Sequence, residues 1–155
     1  MEIKLFNDDI ETLRPIAESW QKNVQDNGFG ITTDGMNKYL VELGNIAFGA
    51  NSDLIVLYDG KTPVGYIGLR YFESPLGSQM MAEEHYFYVI PENRGLASMR
   101  LIKNAKTLAK LKGCTHLILN ASNLASDMHD KICQFYEKSG MKLFETSYIE
   151  QLSEV

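Results

Sequence analysis

The chain has 155 residues, of which 45% are hydrophobic, and a formal net charge of −5. A chain of this size buries about two thirds of its surface, which predicts one domain over residues 1–155. No apolar run approaches the roughly 20 residues that cross a bilayer, and the first residues lack a leader pattern. We therefore expect a soluble, cytoplasmic protein without a membrane partner. Cys114 and Cys133 have no C-x-x-C spacing and the three histidines are scattered, so we expect reduced thiols and no metal.

The first third of the chain predicts one strand and two helices. Residues 2–6 alternate like a short strand, and Asn7 or Asp8 can cap the helix that follows. The apolar positions of that helix are Ile10, Leu13, Ile16, Trp20 and Val24. Pro15 should kink or split it. After a loop at 25–35 with three glycines, a second amphipathic helix carries Met36, Tyr39, Leu40, Leu43 and Ile46.

The middle of the chain predicts an antiparallel meander. Residues 53–74 form a hairpin that turns at Asp59–Gly60, and residues 81–90 form the next strand.

The last third predicts a crossover and a closing strand. A helix over 96–112 ends near Gly113, and residues 115–120 form an apolar strand, so two strands are parallel. A last helix, roughly 125–139, buries Met128, Ile132, Phe135 and Tyr136. It ends at Gly140, the usual residue after a helix. Residues 141–152 should close the sheet as a strand.

Charge is unevenly distributed. Residues 93–126 contain no acidic residue and six basic ones, which gives +6, so the remainder carries −5 − 6 = −11. Lys103, Lys106 and Lys110 share one helical stripe, which is typical of a solvated face. Because the stripe lacks interleaved aromatic residues and the chain is acidic, we expect no nucleic-acid partner.

One junction indicates an anion site. Residues 88–102, YVIPENRGLASMRLI, run from a strand end directly into a helix. A helix start leaves backbone N–H groups unpaired and concentrates the positive end of the helix dipole, so it suits an anion.

The element order, together with VIPENRG before the central helix and FYEKSGM at the end of the last one, resembles the GNAT superfamily of acyl-CoA N-acyltransferases. The resemblance covers nearly the whole chain. Its specific part is Val89, Ile90, Pro91, Arg94 and Gly95. It implies a mixed, mostly antiparallel α/β fold of six or seven strands, with four helices on both faces.

The resemblance also implies a cofactor site. Acetyl-CoA would place its diphosphate on the helix start, contributed by Arg94, Gly95, Leu96, Ala97, Ser98 and Met99. Ala97 and Met99 stand where the family has glycines, and their side chains could crowd the phosphates. The pantetheine arm would lie against Phe87, Val89 and Asn120. Asn123 would reach the cofactor or serve as a turn or cap residue.

The implied reaction is direct transfer of an acetyl group to a primary amine. Glu83 or Glu84 would accept the proton of the amine, with His85 as an outside candidate, and Tyr136 would donate to the departing thiolate. Each of these residues also has a purely structural interpretation. The two glutamates would be solvated charges at the start of a strand, and Tyr136 would pack in the core.

The sequence does not identify the amine that accepts the acetyl group. The resemblance implies a pocket shaped by the loop at 25–35 and by the closing strand with Glu145, Tyr148 and Glu150. Its acidic and aromatic character favours a cationic amine: a protein lysine, an N-terminus, a polyamine or an aminoglycoside. The alternative hypothesis is a catalytically inactive relative that binds a protein, with or without acyl-CoA. A homodimer is compatible with either function.

Overall fold

The computed structural model describes residues 1–124 and 128–153, which hold five strands and four α-helices. The strands are β1 (Glu2–Leu5), β2 (Ser52–Asp59), β3 (Thr62–Glu73), β4 (Met80–Val89) and β5 (His116–Ile118). The helices are α1 (Arg14–Val24), α2 (Met36–Phe48), α3 (Leu96–Leu111) and α4 (His129–Lys138). Short 3₁₀ turns precede α1 at Ile10–Leu13 and α3 at Pro91–Asn93.

The strands lie in chain order in one mixed sheet. Neighbours from β1 to β4 are antiparallel, and β4 pairs with β5 in parallel. The predicted meander and crossover are therefore confirmed. Two apolar clusters cover the two faces: one contains the inner sides of α1 and α2, and the other contains that of α3. In the described ranges, every helix is too short or too polar to span a bilayer.

Pro15 splits the first helical segment, as expected. The 3₁₀ turn ends at Leu13, and α1 begins at Arg14 with Pro15 in its first turn, where its missing N–H costs no hydrogen bond. The capping residue differs from the prediction. Asp9, rather than Asn7 or Asp8, accepts a hydrogen bond from the N–H of Glu11 at 3.0 Å.

The end of α4 is confirmed at Gly140, which has a φ of 87°. The N–H of Met141 donates to the carbonyl of Tyr136 at 3.0 Å, which is the bond that closes a Schellman motif. The predicted helix start falls partly on residues 125–127, which lie outside the described residues.

The predicted strand over 141–152 is wrong, and so is the expected sheet of six or seven strands. In the described chain no strand follows β5, and Leu143, Phe144, Tyr148 and Leu152 are exposed. β-propensity yields a strand when a partner edge is available. Here β5 pairs over three residues, and the side chain of Gln151 lies directly against Gly30 in the α1–α2 loop.

A β-bulge interrupts the pairing of β3 with β4. Ile67 pairs with Phe87 and Gly68 pairs with His85, so Tyr86 is the extra residue. The strands approach closely there, because a Cβ added to Gly68 would lie 2.3 Å from the carbonyl oxygen of His85. Glycine therefore permits the bulge, and a bulge locally bends the strand that carries the extra residue.

Candidate active site

The start of α3 is uncapped and open. Gly95 is its N-cap residue, with a φ of 94° that glycine tolerates, and no side chain in the described part of the chain caps the helix. The first helical bond runs from the N–H of Met99 to the carbonyl of Gly95 at 3.3 Å. Within the described chain, the N–H groups of residues 95–98 have no acceptor. A Cβ added to Gly95 would meet nothing within 4 Å, so these donors border open space.

Ala97 and Met99, which stand where the family has glycines, differ in their burial. Ala97 is buried against the apolar cluster of α3, so its methyl group points into the core. Met99 is 46% exposed, and its N–H is already used in the first helical bond. Ser98 is half-buried and Leu96 is exposed. The donors at the helix start therefore remain accessible despite both substitutions.

On the side of β5, β4 leaves a long edge that has no strand partner among the described residues. The parallel pairing ends at Glu83 and Ile118, although β4 continues to Val89. Residues 84–89 thus extend about 20 Å beyond the paired region. We call this segment the β4 edge. At its far end Arg94 Nε donates to the carbonyl of Val89 at 2.9 Å, and the guanidinium lies 5.3 Å from the ring centroid of Tyr88.

Asn120 connects two other predicted site residues, Glu84 and Tyr136, at the near end of the β4 edge. Its backbone N–H donates to Glu84 Oε2 at 3.2 Å, and its Nδ2 donates to the carbonyl of Glu84 at 3.1 Å. The hydroxyl of Tyr136 donates to the carbonyl of Asn120 at 3.1 Å. The structure therefore brings Glu84, Asn120 and Tyr136 together, whereas Asn123 lies exposed in the bend after β5.

Glu83 and Glu84 lie on opposite faces of the sheet. Glu84 is opposite Leu69, which packs on the α3 side, and directly opposed residues share a face. Glu83 is opposite Arg70, and His85 is opposite Gly68, whose added Cβ would meet Ile46 of α2. Glu83 Oε2 and His85 Nε2 are 4.0 Å apart on that side. The sequence left this choice of face open, and the bulge position settles the orientation of each side chain.

The surroundings shift the pKa values of Glu84, Tyr136 and His85 in different directions. Burial raises the pKa of Glu84, and the N–H groups of Asn120 and Phe87 lower it in part. Burial also raises the pKa of the Tyr136 phenol, and the Glu84 carboxylate raises it further. Burial lowers the pKa of His85, as does Arg70, while Glu83 raises it. Glu84 is therefore a stronger base than an exposed glutamate, and Tyr136 stays protonated at neutral pH.

We expect Glu84→Gln to stabilise the fold increasingly as pH rises. The pKa of Glu84 is higher in the folded chain than in the unfolded one, so the wild type loses stability as pH rises through the folded value. Glutamine cannot ionise, and its Oε1 can still accept the N–H of Asn120. The melting temperatures of variant and wild type should converge near pH 4 and separate above neutral pH.

The matched control is Glu83→Gln, because that side chain is 36% exposed on the α2 side. Removing a partly exposed charge should change stability little at any pH. A Glu84→Gln melting temperature that follows the wild type across the whole pH range would contradict the burial argument.

Tyr86 is a candidate residue that the sequence did not single out. It has a φ of 66°, the one non-glycine residue in the described ranges with a positive φ. Such strain clusters at functional sites. The aromatic run HYFY at 85–88 was visible in the sequence, but the bulge that sets the direction of each ring was not.

The residues predicted to shape an acceptor pocket are placed differently from expectation. Glu145, Tyr148 and Glu150 are exposed in a segment without strand structure. The α1–α2 loop does meet the C-terminal segment, through Gly30 and Gln151. The loop therefore borders this region, while the closing strand does not form.

Solved structures share this architecture. A tetramutant of the BH1408 protein of Bacillus halodurans is 14% identical, with a TM-score of 0.79 over 98% of this chain and 100% of that one. A ribosomal-protein-alanine N-acetyltransferase of Brucella melitensis biovar Abortus is 16% identical, with a TM-score of 0.71 over 98% and 100%. An aminoglycoside acetyltransferase from an uncultured soil sample is 11% identical, with a TM-score of 0.70 over 99% and 100%. At these identities the likeness shows a common fold.

The family follows from the sequence match. Residues 18–141 match the model of the Acetyltransferase (GNAT) family, so the chain belongs to that family. No curated protein matches the chain. The resemblance stated from VIPENRG and FYEKSGM is thereby confirmed.

Proposed function

We propose that this protein transfers an acetyl group from acetyl-CoA to a primary amine. The observation that carries the proposal is the uncapped start of α3, where the N–H groups of residues 95–98 border open space beside the β4 edge. The family membership supports the same function. In the described residues, no group of three His, Cys, Asp or Glu side chains could hold a metal ion.

The residues present fit the cofactor. N–H groups at a helix start bind phosphate oxygens, and those of residues 95–98 would take the diphosphate. Arg94 would add charge from the end of β4, although its Nε is engaged by Val89. The β4 edge at Phe87 and Val89 has no strand partner among the described residues and suits an extended, amide-containing chain, although the N–H of Phe87 is directed to Glu84 and the carbonyl of Val89 accepts from Arg94. Bound there, acetyl-CoA supplies a thioester that an amine can attack directly.

The amine must lose a proton before it can attack. An alkyl amine with a pKa near 10.4 is about 0.04% neutral at pH 7, so deprotonation costs roughly 4.6 kcal/mol. Glu84 is the proton acceptor in this proposal, because burial raises its pKa toward the working pH, where a general base is most effective. Glu83 lies on the opposite, α2-facing side of the sheet.

Tyr136 donates a proton or hydrogen bond to the departing thiolate. Its raised pKa keeps the phenol protonated, and its hydroxyl already lies 3.1 Å from the carbonyl of Asn120 beside Glu84. Asn120 is a positioning residue, because it holds both the carboxylate and the phenol.

Two measurements test the function. Coenzyme A at 100 times its Kd should add about 2.7 kcal/mol of stability, measured as a thermal shift. Thiol release from acetyl-CoA should then depend on an added amine and fall strongly in Glu84→Gln. A chain that shows no thermal shift would overturn the proposal. Binding without thiol release on any amine would favour the alternative, an inactive protein-binding relative.

A further inference from the structure

The outer edge of β1 is open. Among the described residues, β1 is the first strand of the sheet and pairs with β2 alone. The N–H of Phe6 donates to the carbonyl of Leu54, which the register places opposite it, so the even-numbered residues of β1 make the hydrogen-bonded pairs with β2. The N–H and C=O groups of Ile3 and Leu5 therefore point away from the sheet. Such an edge is a template for another strand.

Charged and apolar side chains alternate along this edge. Glu2 and Lys4 are exposed and lie opposite β2 residues of the α1–α2 cluster, so they share that face of the sheet. Ile3 and Leu5 lie opposite β2 residues of the α3 cluster. A lysine on an edge strand commonly prevents pairing with another chain. Here each copy of the edge also carries a carboxylate two residues away, which can neutralise that lysine in a second copy.

The edge is complementary to itself in one symmetric register. Antiparallel pairing has to match the outward-pointing residues 1, 3 and 5 with one another. A twofold axis at Glu2 or at Lys4 satisfies that condition but sets like charges directly opposite each other, which is destabilising. A twofold axis at Ile3 instead sets Glu2 opposite Lys4 of the second copy, and this pair occurs twice. It falls at positions without backbone hydrogen bonds, where opposed side chains lie closest.

The same register brings apolar side chains together on the α3 face. Met1 would lie opposite Leu5 of the second copy, beside a groove between β1 and α3 that Leu108 and Leu111 line. Met1, Leu5 and Leu111 are 51%, 48% and 79% exposed in the single chain. Arg100 donates to the carbonyl of Met1 at 3.2 Å, which holds this residue beside α3 and leaves the carbonyl a second lone pair. Pairing would therefore bury apolar surface as well as satisfy the edge.

We propose that two copies of this chain associate through β1, antiparallel about a twofold axis at Ile3, so that their two five-stranded sheets become continuous. The alternation of Glu2 and Lys4 on one face, and the apolar residues on the other, make a second copy the matching partner. The inference does not depend on the proposed acetyl transfer, because β1 lies at the opposite edge of the sheet from β5.

The dimer should be weak and dependent on concentration. Pairing of about five residues per copy falls below the roughly 1,200 Å² that stable interfaces bury. We therefore expect a dissociation constant on the order of micromolar or higher, measured by sedimentation velocity. The dimer fraction should fall as salt is added, since the two ion pairs are exposed and are screened.

Complementary charge reversals test the register. Lys4→Glu gives each copy two glutamates on this edge, and Glu2→Lys gives each copy two lysines. Each variant alone turns both attractive pairs into repulsive ones and should raise the dissociation constant at least about tenfold. An equimolar mixture of the two variants should recover the dimer as a heterodimer, because every glutamate then faces a lysine.

Two further variants separate edge pairing from general effects. Lys131→Glu changes the net charge as Lys4→Glu does, but on the exposed surface of α4, and should leave the dimer unchanged. Leu5→Pro removes a donor that points outward, so it should abolish the dimer and retain the pairing of β1 with β2, seen as a melting temperature near that of the wild type.

Three results would each overturn the β1 interface. These are a wild type that stays monomeric at about 1 mM, single reversals that dimerise as the wild type does, and a mixture that is no more dimeric than its two components. Coenzyme A binding and thiol release should be the same in Lys4→Glu as in the wild type, so a failure of the interface is distinguishable from a failure of the proposed function.

Discussion

Ser98→Asp should raise the melting temperature and at the same time remove most of the affinity for coenzyme A. Ser98 is the third residue of α3, whose start has no side-chain cap and no acidic residue in its first turn. An aspartate there would accept the free N–H groups and complement the helix dipole, which typically stabilises by about 0.3–1 kcal/mol. The same carboxylate would occupy the donors proposed for the diphosphate and repel it.

The expected loss of affinity is large. Two like charges about 4 Å apart near a protein surface repel by on the order of 4 kcal/mol before screening. We therefore expect the Kd of coenzyme A to rise about 100-fold, which corresponds to roughly 2.7 kcal/mol. Isothermal titration calorimetry measures the Kd, and thermal unfolding without ligand measures the stability.

Ser98→Asn is the matched control, because asparagine has nearly the same shape as aspartate but carries no charge. It should retain coenzyme A affinity within a few fold. If Ser98→Asp is more stable than wild type but binds coenzyme A equally well, the diphosphate binds elsewhere and the proposed cofactor site is wrong.

Tyr136→Phe should lower kcat by about 100-fold, the lower end of the effect of a positioned proton donor. Burial and the Glu84 carboxylate raise the pKa of this phenol, so it remains a donor throughout the neutral range. The KM of the amine and the Kd of coenzyme A should change little, because the phenol acts on the departing thiolate. Steady-state thiol release at saturating amine measures the effect.

Stability must be separated from catalysis in that comparison. Tyr136→Phe removes the hydrogen bond to the carbonyl of Asn120, worth about 1 kcal/mol. Tyr66→Phe is the matched control, because it removes a buried hydroxyl that is hydrogen-bonded to Tyr39 at 2.9 Å, on the face of the sheet that α1 and α2 cover. Tyr66→Phe should lower the free energy of unfolding by a similar amount and leave kcat nearly unchanged. An unaltered kcat in Tyr136→Phe would remove this residue from the mechanism.

Local signals in the sequence predicted most of the elements. Pro15 at a helix start, Gly140 after a helix end and the Gly60 turn each reflect a backbone preference of one residue, so they are readable without the fold. The apolar periodicity of α1, α2 and α3 likewise reports the face that each helix buries. The strand over 141–152 was wrong because alternation and β-propensity do not specify whether a neighbouring edge will pair.

The candidate site likewise combines features that the sequence determines with features that only the fold decides. The sequence by itself determined the helix start after Arg94–Gly95, because unpaired N–H groups are a property of any uncapped helix. Tertiary structure decided which side chains meet: the extra residue in β4 sets which of Glu83 and Glu84 faces α3, and it adds Tyr86 to the α1–α2 face. The bulge depends on the close approach of Gly68 to His85 across two strands. It is a non-local contact, and no pattern within either strand encodes it.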